Sequence, residues 1–183
     1  MNNTDTQIDT LEANLRALSK RMPDLPLTEI LLCRLILQTG RETATMLEQQ
    51  IRPFGLAEAE FRVLTALFSQ PDGAAHSSDI CACAAQSPAN MSRISDALVS
   101  RDLITRVLSV HDRRRMVLRI TKQGEKLVRR LLPNMFGPLR GLFAEVPEAE
   151  QRQLILQLKR VYAKLAEPTR QVPSEREPSE QAL

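Results

Sequence analysis

The sequence predicts a mainly α-helical protein with one small β-hairpin, or wing, on three observations. Apolar residues recur at spacings of three and four through most of the chain, the period of a helix with one buried face. Aromatic residues make up only 3% and Trp is absent, so Leu, Ala, Ile and Val must fill the core, a stock better suited to helices than to a β-sandwich. Helical periodicity gives way between Ile104 and Ile120, where two β-like runs flank the charged tip His111-Asp112-Arg113-Arg114-Arg115. At 183 residues and 43% hydrophobic composition, the chain can fill one compact core and an appended subdomain.

Ile8, Leu11, Leu15 and Leu18 share one face of a first short helix, which Pro23 and Pro26 end. Residues 27–51 form one long helix, with Ile30, Leu31, Leu35, Met46 and Leu47 on its apolar side and Gln38, Gly40 and Glu42 interrupting it. Arg52-Pro53-Phe54-Gly55 breaks that helix, and residues 57–68 resume with Phe61, Leu64, Leu67 and Phe68 facing a core. The turn Pro71-Asp72-Gly73 follows, then a short helix over residues 78–84.

Ser87-Pro88 starts the next helix. The Ser hydroxyl accepts from free amide groups at the cap, and Pro at the first helical position gives up no needed donor. Through Ser100, Met91, Ile94 and Leu98 turn inward, leaving Ala89, Asn90, Ser92, Arg93 and Asp96 outward. That outward face is slim and polar, as insertion into a major groove requires.

Residues 104–109 and 116–120 make the hairpin. Thr121 caps a final helical section in which Leu127, Leu131, Met135 and Leu139 recur every four residues; Pro133 and Pro138 predict a kink or partial break. Between Pro147 and Leu165, Leu154, Leu158, Val161 and Leu165 recur at four, three and four, the seam of a helix that packs on a partner. From Glu167, three prolines among charged residues predict disorder.

Charge sharpens the picture. Residues 87–130 hold eleven Lys and Arg against four Asp and Glu, a surplus of seven in a chain whose net charge is only +3. A solvated basic turn would explain three adjacent arginines by themselves. A capped polar helix immediately ahead of them points instead to double-stranded DNA. Arg93, Arg106, Arg113, Arg114 and Arg115 are the main candidate contacts. Ser87, Ala89, Asn90 and Ser92 sit where base edges or phosphates would be met, Asp96 is placed to orient Arg93, and His111 belongs to the hairpin loop.

Other classes find little support. Asp5, Asp9 and Glu12 stand where an export signal would be basic and then apolar, and no apolar run approaches a membrane span, so a cytoplasmic protein without membrane association is expected. Three cysteines suit a reducing compartment. Cys33, Cys81 and Cys83 invite a redox or zinc reading, but free Cys is commonly a plain buried residue, and helical positions two apart point about 200° from each other, poor geometry for one metal. Around His76 and His111 no triad or carboxylate pair assembles, so no catalytic residue, metal or cofactor is expected. Met46, Met91 and Met135 are read as core filler.

The run Ser87-Pro88-Ala89-Asn90-Met91-Ser92-Arg93-Ile94, with Asp96-Ala97-Leu98, Leu103-Ile104, Asp112-Arg113-Arg114-Arg115, Leu118, Ile120-Thr121 and Gly124, resembles the MarR family of winged helix-turn-helix transcriptional regulators in order and spacing. The resemblance covers residues 27–165, and Phe61-Arg62-Val63-Leu64 adds to it. Glu29-Ile30-Leu31-Leu32-Cys33-Arg34-Leu35 and Leu131-Leu132-Pro133 are similar to the branch that represses multidrug efflux pumps.

This resemblance implies a winged helix-turn-helix lobe plus a helical dimerisation region drawn from both termini. Residues 1–26 would be an N-terminal arm, 27–56 a dimerisation helix, 57–121 the DNA-binding lobe, 122–166 C-terminal dimerisation helices and 167–183 a disordered tail. It implies a homodimer joined through Leu154, Leu158, Val161 and Leu165, with Arg114 reaching the minor groove and Asp112 holding the wing in shape. A small aromatic or lipophilic effector would release a pseudo-palindromic operator of an efflux or stress operon. The alternatives are a thiol-based repressor that uses Cys33 and an architectural DNA binder without sequence preference. Two departures stand out. Val110 and His111 replace the usual Pro and acidic residue, and Asp102 replaces a Gly that ends a helix with positive φ; Asp tolerates that conformation at modest cost.

Overall fold

The computed structural model describes residues 3–108 and 115–167. Among the described residues seven helices run in chain order: α1 (Asn3–Arg21), α2 (Leu27–Ile51), α3 (Glu58–Phe68), α4 (Ser77–Cys83), α5 (Pro88–Ser100), α6 (Lys122–Leu142) and α7 (Glu148–Ala166). A single-turn 3-10 helix, Arg52–Phe54, follows α2 and closes on Gly55 at φ 67. Three strands, β1 (Ala74–His76), β2 (Ile104–Leu108) and β3 (Met116–Ile120), form an antiparallel sheet in the order β1-β3-β2. The chain divides into two compact units between Pro138 and Leu139. No helix among the described residues is long and apolar enough to cross a membrane.

The expected hairpin is present, with β2 and β3 paired from Ile104 opposite Ile120 to Leu108 opposite Met116. The sheet also holds a strand that local sequence does not announce: β1 pairs with β3 through Ala74 and Arg119, Ala75 and Leu118, His76 and Val117. Ala-Ala-His is too short and too poor in β-branched residues to signal a strand; it becomes one because β3 offers it a free edge. Gly73 makes the approach possible. At φ 62 it is left-handed, a Cβ there would lie 2.7 Å from Ile120 Cγ2, and its carbonyl accepts from Ile120 N at 2.8 Å.

The lobe's core draws on α3 (Val63, Leu64, Leu67), α4 (Ile80), α5 (Met91, Ile94, Leu98), the sheet (Ile104, Leu118, Ile120) and α6 (Val128, Leu131, Met135), all buried. On α3 the buried stripe centres on Val63 rather than on the aromatics: Phe61 and Phe68 are only half-buried. Arg129 accounts for part of that, its guanidinium lying 5.0 Å above the Phe68 ring. Met46 is half-buried, not fully packed.

Helix α6 continues through Pro133 and Pro138, so the partial break among the expectations does not interrupt it. Each proline deprives the carbonyl four residues back of its partner, but Arg129 and Asn134 are both exposed, so water can satisfy those groups and the break is avoided. Helix α7 contains no buried residue at all. The tail expected to be disordered lies outside the described residues from 168 onward.

Candidate nucleic-acid interface

Helix α5 is held as its sequence dictates. Ser87 adopts an extended conformation, its Oγ accepts from Asn90 N at 3.2 Å, and Pro88 occupies the first turn. No acidic side chain lies in that turn, leaving the positive end of the helix dipole unopposed. Met91, Ile94 and Leu98 are buried as expected, joined by Ser95, which is small enough to enter the packed side. Ala89, Ser92, Arg93 and Asp96 are exposed and Asn90 is half-buried. The outward face is therefore the polar one.

Side-chain pairings on this face differ from the simplest reading. Arg93 Nη2 donates to Asn90 Oδ1 at 3.0 Å, and Asn90 Nδ2 donates to Gln86 Oε1 at 2.5 Å. Asp96 does not orient Arg93; it pairs with Arg106 of β2 at 2.5 Å. The reason is geometric. Asn90 lies one turn from Arg93 on the side of the helix start, whereas Asp96 faces the strand that follows α5. The pair places Arg106 at the flank of α5, so helix face and hairpin strand share one surface. Gln86 is invisible to sequence reasoning because it precedes the helix and carries no periodic signal.

Arg115 reaches α4, its Nη2 donating to Ser78 Oγ at 3.2 Å and lying 3.6 Å from Asp79 Oδ1. His111, Asp112, Arg113 and Arg114 lie outside the described residues. Two further arginines serve as struts. Arg119 Nη1 donates to Asp72 O at 2.8 Å, and Arg101, at the end of α5, donates to Gly55 O at 2.7 Å and Phe54 O at 3.3 Å while Glu60 stands 3.5 Å away. Glu60 also accepts from Ala57 N at 2.9 Å, fixing the start of α3.

The departure at Asp102 resolves as expected. Its φ is 53, its N–H donates to Val99 O at 2.9 Å, and Leu103 N donates to Leu98 O at 3.0 Å, a left-handed helix ending without glycine. A second such residue, Ala85 at φ 51, makes the turn from α4 to α5.

Of the thiols, Cys33 and Cys83 are exposed and Cys81 is half-buried, its pKa pushed up by desolvation, which favours the unreactive thiol. No group of three or more His, Cys, Asp or Glu side chains able to hold a metal occurs among the described residues.

Known proteins share both pattern and architecture. The family model described as MarR family matches residues 54–115. The chain is 29% identical over 150 residues to the transcriptional repressor MprA of Escherichia coli K12, covering 82% of this chain and 85% of that one. AbsC, a MarR family transcriptional regulator of Streptomyces coelicolor, superposes with a TM-score of 0.71 at 24% identity, covering 75% of this chain and 94% of that one. A cysteine-to-serine mutant of MarR from E. coli, complexed with operator DNA, superposes with a TM-score of 0.67 at 22% identity over 75% of this chain and 98% of that one. With the helix, turn and winged sheet in the same order, and a repressor's sequence matched along most of its length, the chain is similar to the MarR family, whose model matches its residues 54–115, and shares the fold of its winged helix-turn-helix members.

Proposed function

We propose that this protein is a homodimeric DNA-binding repressor that leaves its operator when a small aromatic or lipophilic effector binds. The observation that carries the reading is the exposed polar face of α5, with Arg106 of β2 alongside it. A capped helix with an unopposed N-terminal dipole suits a groove lined by phosphates, and side chains on that face reach base edges. Ser87, Ala89, Asn90, Ser92 and Arg93 would meet DNA from α5, Arg106 and His111 to Arg115 from the wing, with Asp112 shaping its tip. MprA is a transcriptional repressor and the MarR mutant binds operator DNA, which supports the same role here.

Dimerisation would use residues 27–56 and 122–166, with 57–121 as the DNA lobe. Leu154, Leu158 and Val161 are 43 to 45% exposed and Leu165 is 77% exposed, an apolar row suited to burial against a second copy. Two recognition helices about 34 Å apart then span one turn of DNA, and a ligand that favours another separation weakens binding by linkage. The resemblance of Glu29 to Leu35 and of Leu131-Leu132-Pro133 to the branch that represses multidrug efflux pumps supports an efflux or stress operon as target.

Footprinting of the purified protein on its own promoter region, repeated with phenolic compounds, uncouplers and peroxide, tests this reading. Protection of a pseudo-palindrome that a phenolic compound or uncoupler lifts is the expected result. Release by peroxide alone, abolished in Cys33→Ser, would replace the effector with a thiol switch; protection indifferent to base order would leave an architectural binder.

A further inference from the structure

We propose that Gln86, which lies outside α5, is a positioning residue that acts through Asn90 to hold the Arg93 guanidinium ready for the major-groove edge of a guanine. The proposal rests on the DNA-binding reading above and deepens it, naming the base that one side chain reads and the residue that prepares it.

Residues 86, 90 and 93 are spaced by four and three, so they share one face of α5 and of the turn that leads into it. That turn is fixed. Ala85 is left-handed at φ 51, and Gln86 N donates to Cys81 O at 2.9 Å, tying its backbone to the end of α4. The side chain is tied as well: Gln86 Nε2 donates to Ala84 O at 3.0 Å, and Ala84 is buried.

A primary amide has a donor end and an acceptor end, so a partner at one end decides which atom faces the other way. With Nε2 on Ala84 O, Gln86 turns Oε1 towards Asn90, whose Nδ2 donates to it at 2.5 Å. Asn90 then presents Oδ1, which accepts from Arg93 Nη2 at 3.0 Å. Flipping either amide would set like atoms against each other. Polarity thus runs from a buried carbonyl to an exposed guanidinium through two amides.

Charge separates Arg93 from the other arginines of this surface. Arg106 and Arg115 lie beside carboxylates, Asp96 and Asp79. Arg93 is held by a neutral amide and has no other hydrogen bond or ion pair among the described residues, so it is oriented with its charge unanswered. The rest of its fork of N–H groups sits on an exposed side chain. Guanine matches that fork, since O6 and N7 are two adjacent acceptors that take a guanidinium bidentately; adenine sets a donor beside its one acceptor. Anchoring through two amides removes rotamer freedom from Arg93 before DNA arrives, which lowers the entropy lost on binding.

Selection of duplexes from a random-sequence library by the full-length protein, followed by fluorescence anisotropy on the enriched duplex, tests the proposal. The wild type should enrich a guanine in each half-site, and 7-deazaguanine there, which lacks the N7 acceptor, should weaken binding by about ten-fold, a loss that disappears in Arg93→Ala. Gln86→Met keeps the size of the side chain without its amide; it should lower the preference for guanine over adenine at that position by about three- to ten-fold, with the salt slope unchanged. In an Arg93→Ala background the same substitution should change the preference no further, whereas a direct base contact by Gln86 would remain visible. Nitrogen-edited NMR of the wild type without DNA is independent of how the variant folds: the Arg93 Nη groups should give resolved signals of a slowly rotating guanidinium. An averaged Arg93 signal, a guanine preference that survives Gln86→Met, or an effect of Gln86→Met that persists beside Arg93→Ala would overturn the proposal. A wild type that enriches no sequence would overturn it together with the DNA-binding reading, whereas enrichment without a guanine that depends on Arg93 strikes this proposal alone.

Discussion

Ala85 and Asp102 are the two non-glycine residues with positive φ among those described, and they close α4 and α5. A left-handed L-residue costs about 1–2 kcal/mol, less for Asp, whose short polar side chain tolerates the conformation, than for Ala. Ala85→Gly should therefore raise stability by about 0.5–1 kcal/mol after the entropy of the freer unfolded chain is subtracted, read as a higher denaturant midpoint with unchanged slope. On the face proposed to meet DNA, Arg106 is engaged by Asp96, but both side chains are partly exposed, at 34% and 59%. Such a pair contributes less than about 1 kcal/mol and can yield to a phosphate. Asp96→Asn frees Arg106 and removes a negative charge from the groove side, so affinity for non-specific DNA at low salt should rise about three-fold by fluorescence anisotropy. Arg114→Ala, by contrast, should weaken operator binding and reduce the slope of log affinity against log salt by about one; an unchanged slope would remove Arg114 from the contacts.

Among the elements, the joint between α5, β2 and α6 is the most tightly specified. Thr121 Oγ1 accepts from Gly124 N at 3.0 Å and donates to Asp102 O at 2.7 Å, while Thr121 N donates to Leu103 O at 3.0 Å. One hydroxyl thus caps α6 and ties it to the left-handed end of α5. Gly124 lets α6 start there: a Cβ would collide with the Leu103 carbonyl oxygen and lie 2.8 Å from Ile120 Cγ1. Thr121→Ala should cost about 1–2 kcal/mol, measured by urea unfolding, with Thr121→Ser retaining most of the stability. The Ser87-Pro88 start and the Thr121 cap were legible in the sequence, because caps depend on residue chemistry within three or four positions; the left-handed turn at Asp102 was expected through the family resemblance. Strand β1 and the unbroken course of α6 were not. The first exists only through its partner β3, and the second depends on whether water reaches the Arg129 and Asn134 carbonyls.

For the whole molecule, α7 poses the largest energetic question. Leu154, Ile155, Leu156, Leu158, Val161, Tyr162 and Leu165 are all exposed in the single chain. Burying Leu158 against a second copy contributes about 1.5–3 kcal/mol, and a carboxylate there would instead be desolvated. Leu158→Asp should shift the protein to monomer in sedimentation velocity and with it abolish tight binding to a two-half-site operator. A dimer that persists would locate the interface elsewhere.

The sequence by itself determined the helical class, the inner and outer faces of α5, the presence of the hairpin and the concentration of basic charge, since each follows from periodicity or composition over a few residues. Tertiary structure decided which charges answer which: Arg106 to Asp96, Arg115 to Asp79, Arg101 to Glu60 and the Phe54-Gly55 carbonyls. It also decided where Arg101, Lys126 and Arg130 meet Phe54, Leu103 and Leu127 around one cavity. These ion pairs and the cavity join side chains ten or more residues apart, and their partners are chosen by how helices and strands pack, a distance relation that no local pattern encodes.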